Sequence, residues 1–269
     1  HVTDGYNHIP VYKAVAIDTD TALGLYLKLA NNPYSYLFES VQGGEKWGRY
    51  SMIGLHAQTV IKVFDHEVRI EQEGKLLEST EVEDPLAWVE QYLGQYKVPE
   101  LDALPDFNGG LVGYFGYEII RYIEPRLSNI DKPDELGVAD ILLMVSNDLV
   151  VFDNLLNQAF VITHIDPSKQ SYEDALSRLD EITKQIDQPL ESSSYQSDQI
   201  SEHDFTSSFG EENYKNTVKK IQEYIVAGDV MQVVPSQRLS CKFSAPPVEL
   251  YRQLRRLNPS PYMYYLNLD

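Results

Sequence analysis

YSYLFESVQGGEKWGRYSMIG, residues 34–54, is where the period of the chain changes. Before it, TALGLYLKLA (21–30) sets Leu23, Leu27 and Ala30 at helical spacing, with Asp20 and Thr21 as caps and Asn31, Asn32 and Pro33 closing the run. From Tyr34 onward apolar and polar residues alternate instead, through YSYLFESV, RYSMIGLH, TVIKVF and EVRIEQ. The turn formers QGGEKWG, DH and EGK fall between or after these runs, which predicts an antiparallel meander.

The rest of the chain extends the same grammar. Asp84 then Pro85 is a cap followed by a first-turn proline, and Leu86, Val89 and Leu93 form the apolar stripe of a short helix. GGLVGYFGY (109–117) is apolar on both alternating faces, which predicts a central strand whose glycines allow close backbone approach or bulges. VADILLMVS, DLVVFDN and QAFVITHI predict three more strands, the last two joined by an Asn-rich turn at 153–157. A helix over about Ser171–Ile186 lines up Tyr172, Ala175, Leu179, Ile182 and Ile186.

The stretch 188–210 is rich in serine and acidic residues with little apolar period, and reads as a connector between 1–187 and 211–269. After it, Ser208 and Glu211 have capping-box spacing, and Tyr214, Val218, Ile221 and Ile225 stripe a helix that stops at Gly228. The Val-rich DVMQVVPSQRLS then predicts a strand, PPVELYRQLRRLNP a helix, and YMYYLNLD the start of a further strand. The chain thus reads as many strands and few helices.

Composition narrows the function. With 269 residues, 43% of them hydrophobic, the chain can bury a sizeable core. Its formal net charge of -19, without a Lys/Arg cluster, argues against nucleic acid. Cys241 is the only cysteine, which leaves no internal disulfide and fits a reducing, cytoplasmic setting. No apolar stretch is long enough to span a bilayer and no leader is visible, so no membrane role is expected. The sequence starts without Met and ends inside a strand-like run, which reads as a fragment.

Three places could carry chemistry. Gln232 sits mid-strand in the expected reading, where a buried amide needs partners; satisfaction by neighbouring backbone is the plain explanation. Glu39, in a strand of aromatic neighbours, and Arg49, beyond a Gly-rich turn, suit either a cross-strand ion pair or an amino-acid pocket with a carboxylate for an ammonium group. NPSPYMYYL (258–266) is either a rigid helix-to-strand turn or the wall of a site. The six histidines show no zinc spacing, the glycines of 109–117 lack a dinucleotide-loop context, and no nucleophile elbow is present.

Taken together and in order, LFESVQGGEKWGRYSMIG, GGLVGYFGYEIIRYIE, EENYKNTVKKIQEYIVAGDVMQVVPSQRL and NPSPYMYYLNLD closely resemble the large subunit (component I) of anthranilate synthase. The resemblance implies an α+β fold, consistent with the many strands and few helices, of two large antiparallel sheets packed face to face with helices outside, an N-terminal region over 1–187, and the truncated start of a chorismate-binding region over 211–269. It implies chorismate and ammonia as substrates, anthranilate and pyruvate as products, and a glutamine amidotransferase subunit (component II) supplying the ammonia. Feedback inhibition by tryptophan comes with it. So does Mg2+, whose ligands, like the general acid, are expected beyond Asp269, with none in this chain.

Residue by residue, Glu39 and Ser40 match the family's tryptophan-binding element, and Asn258, Pro259, Tyr262 and Met263 match the segment that closes that pocket. Gln232 is similar to the position where related isochorismate-forming enzymes carry a water-activating lysine; an amide is no base at neutral pH, which suits ammonia as nucleophile. The large subunit of aminodeoxychorismate synthase is the sister alternative. A non-catalytic, tryptophan-binding and subunit-docking module is the alternative of another class.

Overall fold

A computed structural model describes residues 5–17, 19–40, 48–128, 134, 136–190 and 199–269. Residues 42–47 of the QGGEKWG turn and 191–198 of the Ser-rich stretch 188–210 lie outside them. The chain forms two compact units, His1–Glu191 with Leu254–Asp269, and Ser192–Gln253. The last strand belongs to the first unit because it pairs there, so the segment 211–269, which reads as one region in sequence, is divided in space.

The first unit is built on two antiparallel sheets. One has the order β1 (Ile9–Ala16), β10 (Gln158–Ile165), β9 (Asp148–Asp153), β3 (Tyr50–Gly54), β2 (Ser35–Glu39), β13 (Met263–Asn267). The other runs β6 (Lys75–Glu81), β5 (Glu67–Gln72), β4 (Thr59–Phe64), β8 (Ile141–Ser146), β7 (Gly110–Phe115). They pack face to face: Tyr36 of β2 shares one buried cluster with Val60 of β4, Val112 of β7 and Met144 of β8. Its hydroxyl and that of Ser146 hydrogen-bond at 2.7 Å, so the buried phenol is satisfied between the sheets.

The expected meander is therefore split. β3 stays with β2, whereas β4 and β5 form a ladder in the second sheet that β6, a strand alternation did not mark, extends. Alternation shows which residues share a face but not which sheet a strand joins. GGLVGYFGY also departs from expectation: among the described residues β7 pairs with β8 alone and is an edge strand. Its two apolar faces come from being sandwiched, Val112 toward the other sheet and Leu111 toward a helix. Gly113 is required there, since a Cβ would lie 1.8 Å from the Leu142 carbonyl oxygen.

Helices cover the outside. α1 (Ala22–Leu29) begins at Thr21, whose side chain accepts from Gly24 N–H, and packs on β2 and β3. α2 (Pro85–Gly94) is capped by Asp84 and places Val89 on Ile61, Val63, Ile141 and Leu143 of the second sheet. A short α3 (Ile120–Ile123) follows β7. α4 (Tyr172–Ile186) carries a capping box between Ser171 and Asp174, buries Ala175, Leu179, Ile182 and Ile186, and packs on β10 and β1.

The second unit holds α5 (Glu211–Ala227) and a two-stranded ladder of β11 (Thr206–Ser207) and β12 (Leu239–Ser240). α5 starts at Gly210 rather than at a Ser208 cap, and ends at left-handed Gly228 as expected. Ser208 instead donates its backbone N–H to the Arg238 carbonyl at 3.1 Å. The strand predicted over DVMQVVPSQRLS is confined to Leu239–Ser240. High β-propensity describes fit to a pleated, half-buried surface, and most of this run has no ladder to join among the described residues. α6 (Pro247–Leu257) then leads into β13.

Candidate functional site

The C-terminal end of β2 meets the start of β13. The two strands run antiparallel with Glu39 opposite Met263 and Leu37 opposite Tyr265. The register puts these four on one face, the face that carries α1, where Tyr26 meets Tyr265 edge to face at 5.6 Å. One residue further, the Ser40 hydroxyl donates to the Pro261 carbonyl at 2.8 Å. Glu39 and Ser40 thus stand against Pro261 and Met263, more than 220 residues away in sequence, within one unit.

Burial sharpens the chemistry. The Glu39 side chain is 3% exposed, so its carboxylate has left water almost completely. Arg255, in the last turn of α6, brings Nε to 3.2 Å of Glu39 Oε2. Arg255 shares a helix face with Val248 and Tyr251, both buried. An arginine on a buried face is the sequence signal that points to a partner; reading the helix only for apolar residues passes over it.

The pairing imagined between Glu39 and Arg49 does not form. Arg49 instead donates from Nε and Nη2 to Asp153 Oδ2 at 3.1 and 2.8 Å, and its guanidinium lies 4.8 Å from the Tyr50 ring centre. Asp153, fully buried, also accepts from the N–H groups of Leu155 and Leu156. Burial alone would raise its carboxyl, but the guanidinium and the two amides outweigh it and hold Asp153 below its ordinary range. This pair fixes the turn between β9 and β10 and leaves Glu39 to the other cation.

Among the remaining candidates, Asn258 donates its N–H to the Leu254 carbonyl at 2.9 Å and, with Pro259, carries the chain out of α6 toward β13. Tyr262 is exposed and Met263 half-buried. Gln232 lies in the second unit, on non-strand backbone, with an exposed side chain, so the buried amide expected of a strand interior is not found.

The chorismate binding enzyme family model matches residues 35–269, from the first residue of β2 to the last of the sequence. The chain belongs to this chorismate-binding family. Its curated relatives include the anthranilate synthase component 1 of Pseudomonas aeruginosa, 52% identical over 98% of this chain and 54% of the relative. The protein of the same name from Neisseria meningitidis serogroup B is 48% identical over 97% of this chain and 53% of its own length. The crystal structure of anthranilate synthase component I from Streptococcus pneumoniae aligns with a TM-score of 0.62 at 25% identity, over 81% of this chain and 49% of that one. The chain thus spans about half the length of the curated relatives it matches.

Among the described residues, no group of three or more His, Cys, Asp or Glu is placed to hold a metal ion. No helix among them is long and apolar enough to cross a membrane.

Proposed function

We propose that this chain is the N-terminal half of the large subunit of an anthranilate synthase, which converts chorismate and ammonia to anthranilate, pyruvate and water as the first step of tryptophan biosynthesis. A partner glutamine amidotransferase subunit supplies the ammonia, Mg2+ is bound by residues outside this sequence, and the single cysteine supports a cytoplasmic setting. The shared name of relatives at 48–52% identity over nearly all of the chain supports the activity.

The observation that carries the reading of this half is the β2–β13 junction: a buried carboxylate, Glu39, beside Ser40, Pro261 and Met263. We assign it to the feedback inhibitor. An α-amino acid with a large apolar side chain needs an acceptor for its ammonium and an apolar slot beside it, and Glu39 with Met263 and the neighbouring Tyr262 supplies both. Asn258 and Pro259 set the path of that segment. Gln232, exposed on its segment, serves as a polar, non-titrating wall for chorismate.

The test has two arms. The 269-residue chain alone, given chorismate, ammonia and Mg2+, is expected to give no anthranilate fluorescence, while the full-length protein gives it and is inhibited by tryptophan. Formation of aminodeoxychorismate by the full-length protein would move the assignment to the sister enzyme. Unchanged turnover and product choice in Gln232→Ala would remove that residue from the pocket.

A further inference from the structure

The Glu39–Arg255 contact is poorly made for a structural salt bridge. Nε is buried and 3.2 Å from the carboxylate, yet its N–H finds no acceptor in hydrogen-bond geometry. A buried donor left without an aligned acceptor costs free energy, and a pair that leaves one is weaker than its distance suggests. Arg255 as a whole is only two-thirds buried, so its charged end can turn to water while the aliphatic stem stays packed. Glu39 has no such freedom, being a strand residue held opposite Met263.

We infer that Arg255 is a built-in competitor for the amino-acid site: it neutralises Glu39 while the site is empty, and a ligand ammonium must exchange with it to bind. This rests on the assignment of Glu39 to the inhibitor site. The exchange is a cation replacing a cation at one carboxylate, so no uncompensated buried charge arises in either state. Both cations at full contact would repel each other in a medium of lowered dielectric, which is why one gives way.

The consequence reaches beyond affinity. Arg255 lies three residues before Asn258, at the point where α6 hands the chain to the segment that flanks the site. Releasing Arg255 removes a tie between the end of α6 and the end of β2, so occupancy of the site is read out as a change in the hold on α6. Arg252, engaged with Glu249 on the same helix at 2.9 and 3.1 Å, is not part of this exchange.

The experiment is calorimetric titration of the full-length protein with L-tryptophan and with indole-3-propionate, which lacks the ammonium. Arg255→Gln is expected to bind tryptophan about tenfold more tightly than the wild type. Arg255→Lys, which keeps the charge but not the fork, falls between them, and it remains informative if the glutamine variant folds poorly. Indole-3-propionate affinity should be unchanged by either substitution, and Arg255→Gln should gain nothing in a Glu39→Gln background. Weaker tryptophan binding in both Arg255 variants, or a gain equal for the two ligands, overturns the competitor while leaving the site assignment standing. Absence of tryptophan binding and inhibition in the wild type overturns both.

Discussion

Each unit contains an amphipathic helix, and the two helices are buried very differently. In the first, α4 puts Leu179 and Ile182 almost wholly out of water, and β8 is buried at every residue. In the second, α5 has no buried residue, Val226 is 89% exposed, and Met231 on the following segment is 98% exposed. Local propensity and capping made both helices. Only the first has a face of its own unit to bury against.

The largest test of this contrast is a core deletion in the first unit. Leu149→Ala removes a fully buried side chain from the cluster with Val151 and Ile162, and should cost roughly 3–5 kcal/mol in urea denaturation. A cost under about 1 kcal/mol would mean that the sandwich is looser than its burial implies.

Acid should act on the same unit next. His8 and His164 stack with ring centres 4.5 Å apart, and burial first, then the neighbouring His164, lowers His8 to about 4, with Asp166 pulling weakly the other way. Burial also lowers His164, against its bond to the Asn147 carbonyl and the charge of Asp148. Above the ordinary histidine value of 6.5 both are neutral whether folded or not, and this stability is fully present. As pH falls toward about 4 the unfolded chain takes up protons that the folded one resists, so roughly 3 kcal/mol is lost for His8. His8→Phe should keep the ring contact and shrink the difference in stability between pH 7 and pH 4.5; an unchanged difference would place the acid sensitivity elsewhere.

A steric change comes third. Gly54 lies beneath Tyr36, and a Cβ there would fall 1.9 Å from the ring, so Gly54→Ala should lower stability by about 2–3 kcal/mol. The smallest effect belongs to the second unit, where Val226→Ser should change the stability of this chain by no more than about 0.5 kcal/mol. A large loss would show that α5 is covered after all. Hydrogen exchange offers the same comparison without mutation, with slow amides on β8 and β9 and fast ones along α5.

The sequence by itself determined the elements. Thr21, Asp84 and the Ser171–Asp174 box start helices where their side chains can take up orphan N–H groups, and Gly228 stops one because glycine accepts its left-handed backbone. Alternation and apolar runs marked β2 to β5 and β7 to β10 but not β1 or β6, and the order of four blocks marked the family. These are local or linear properties, readable without knowing what lies beside them.

Partners were decided only by the tertiary structure. Whether β4 continues β3 or joins another sheet, whether β7 is central or edge, and whether the run 229–238 is a strand all depend on hydrogen bonds to residues far along the chain. The site shows the same limit. Glu39 could be singled out, but its choice of Arg255 over Arg49 follows from α6 returning the chain beside β2 and from Asp153 claiming the other guanidinium. Charge pairing is set by distance and burial, and neither is written in the spacing of residues.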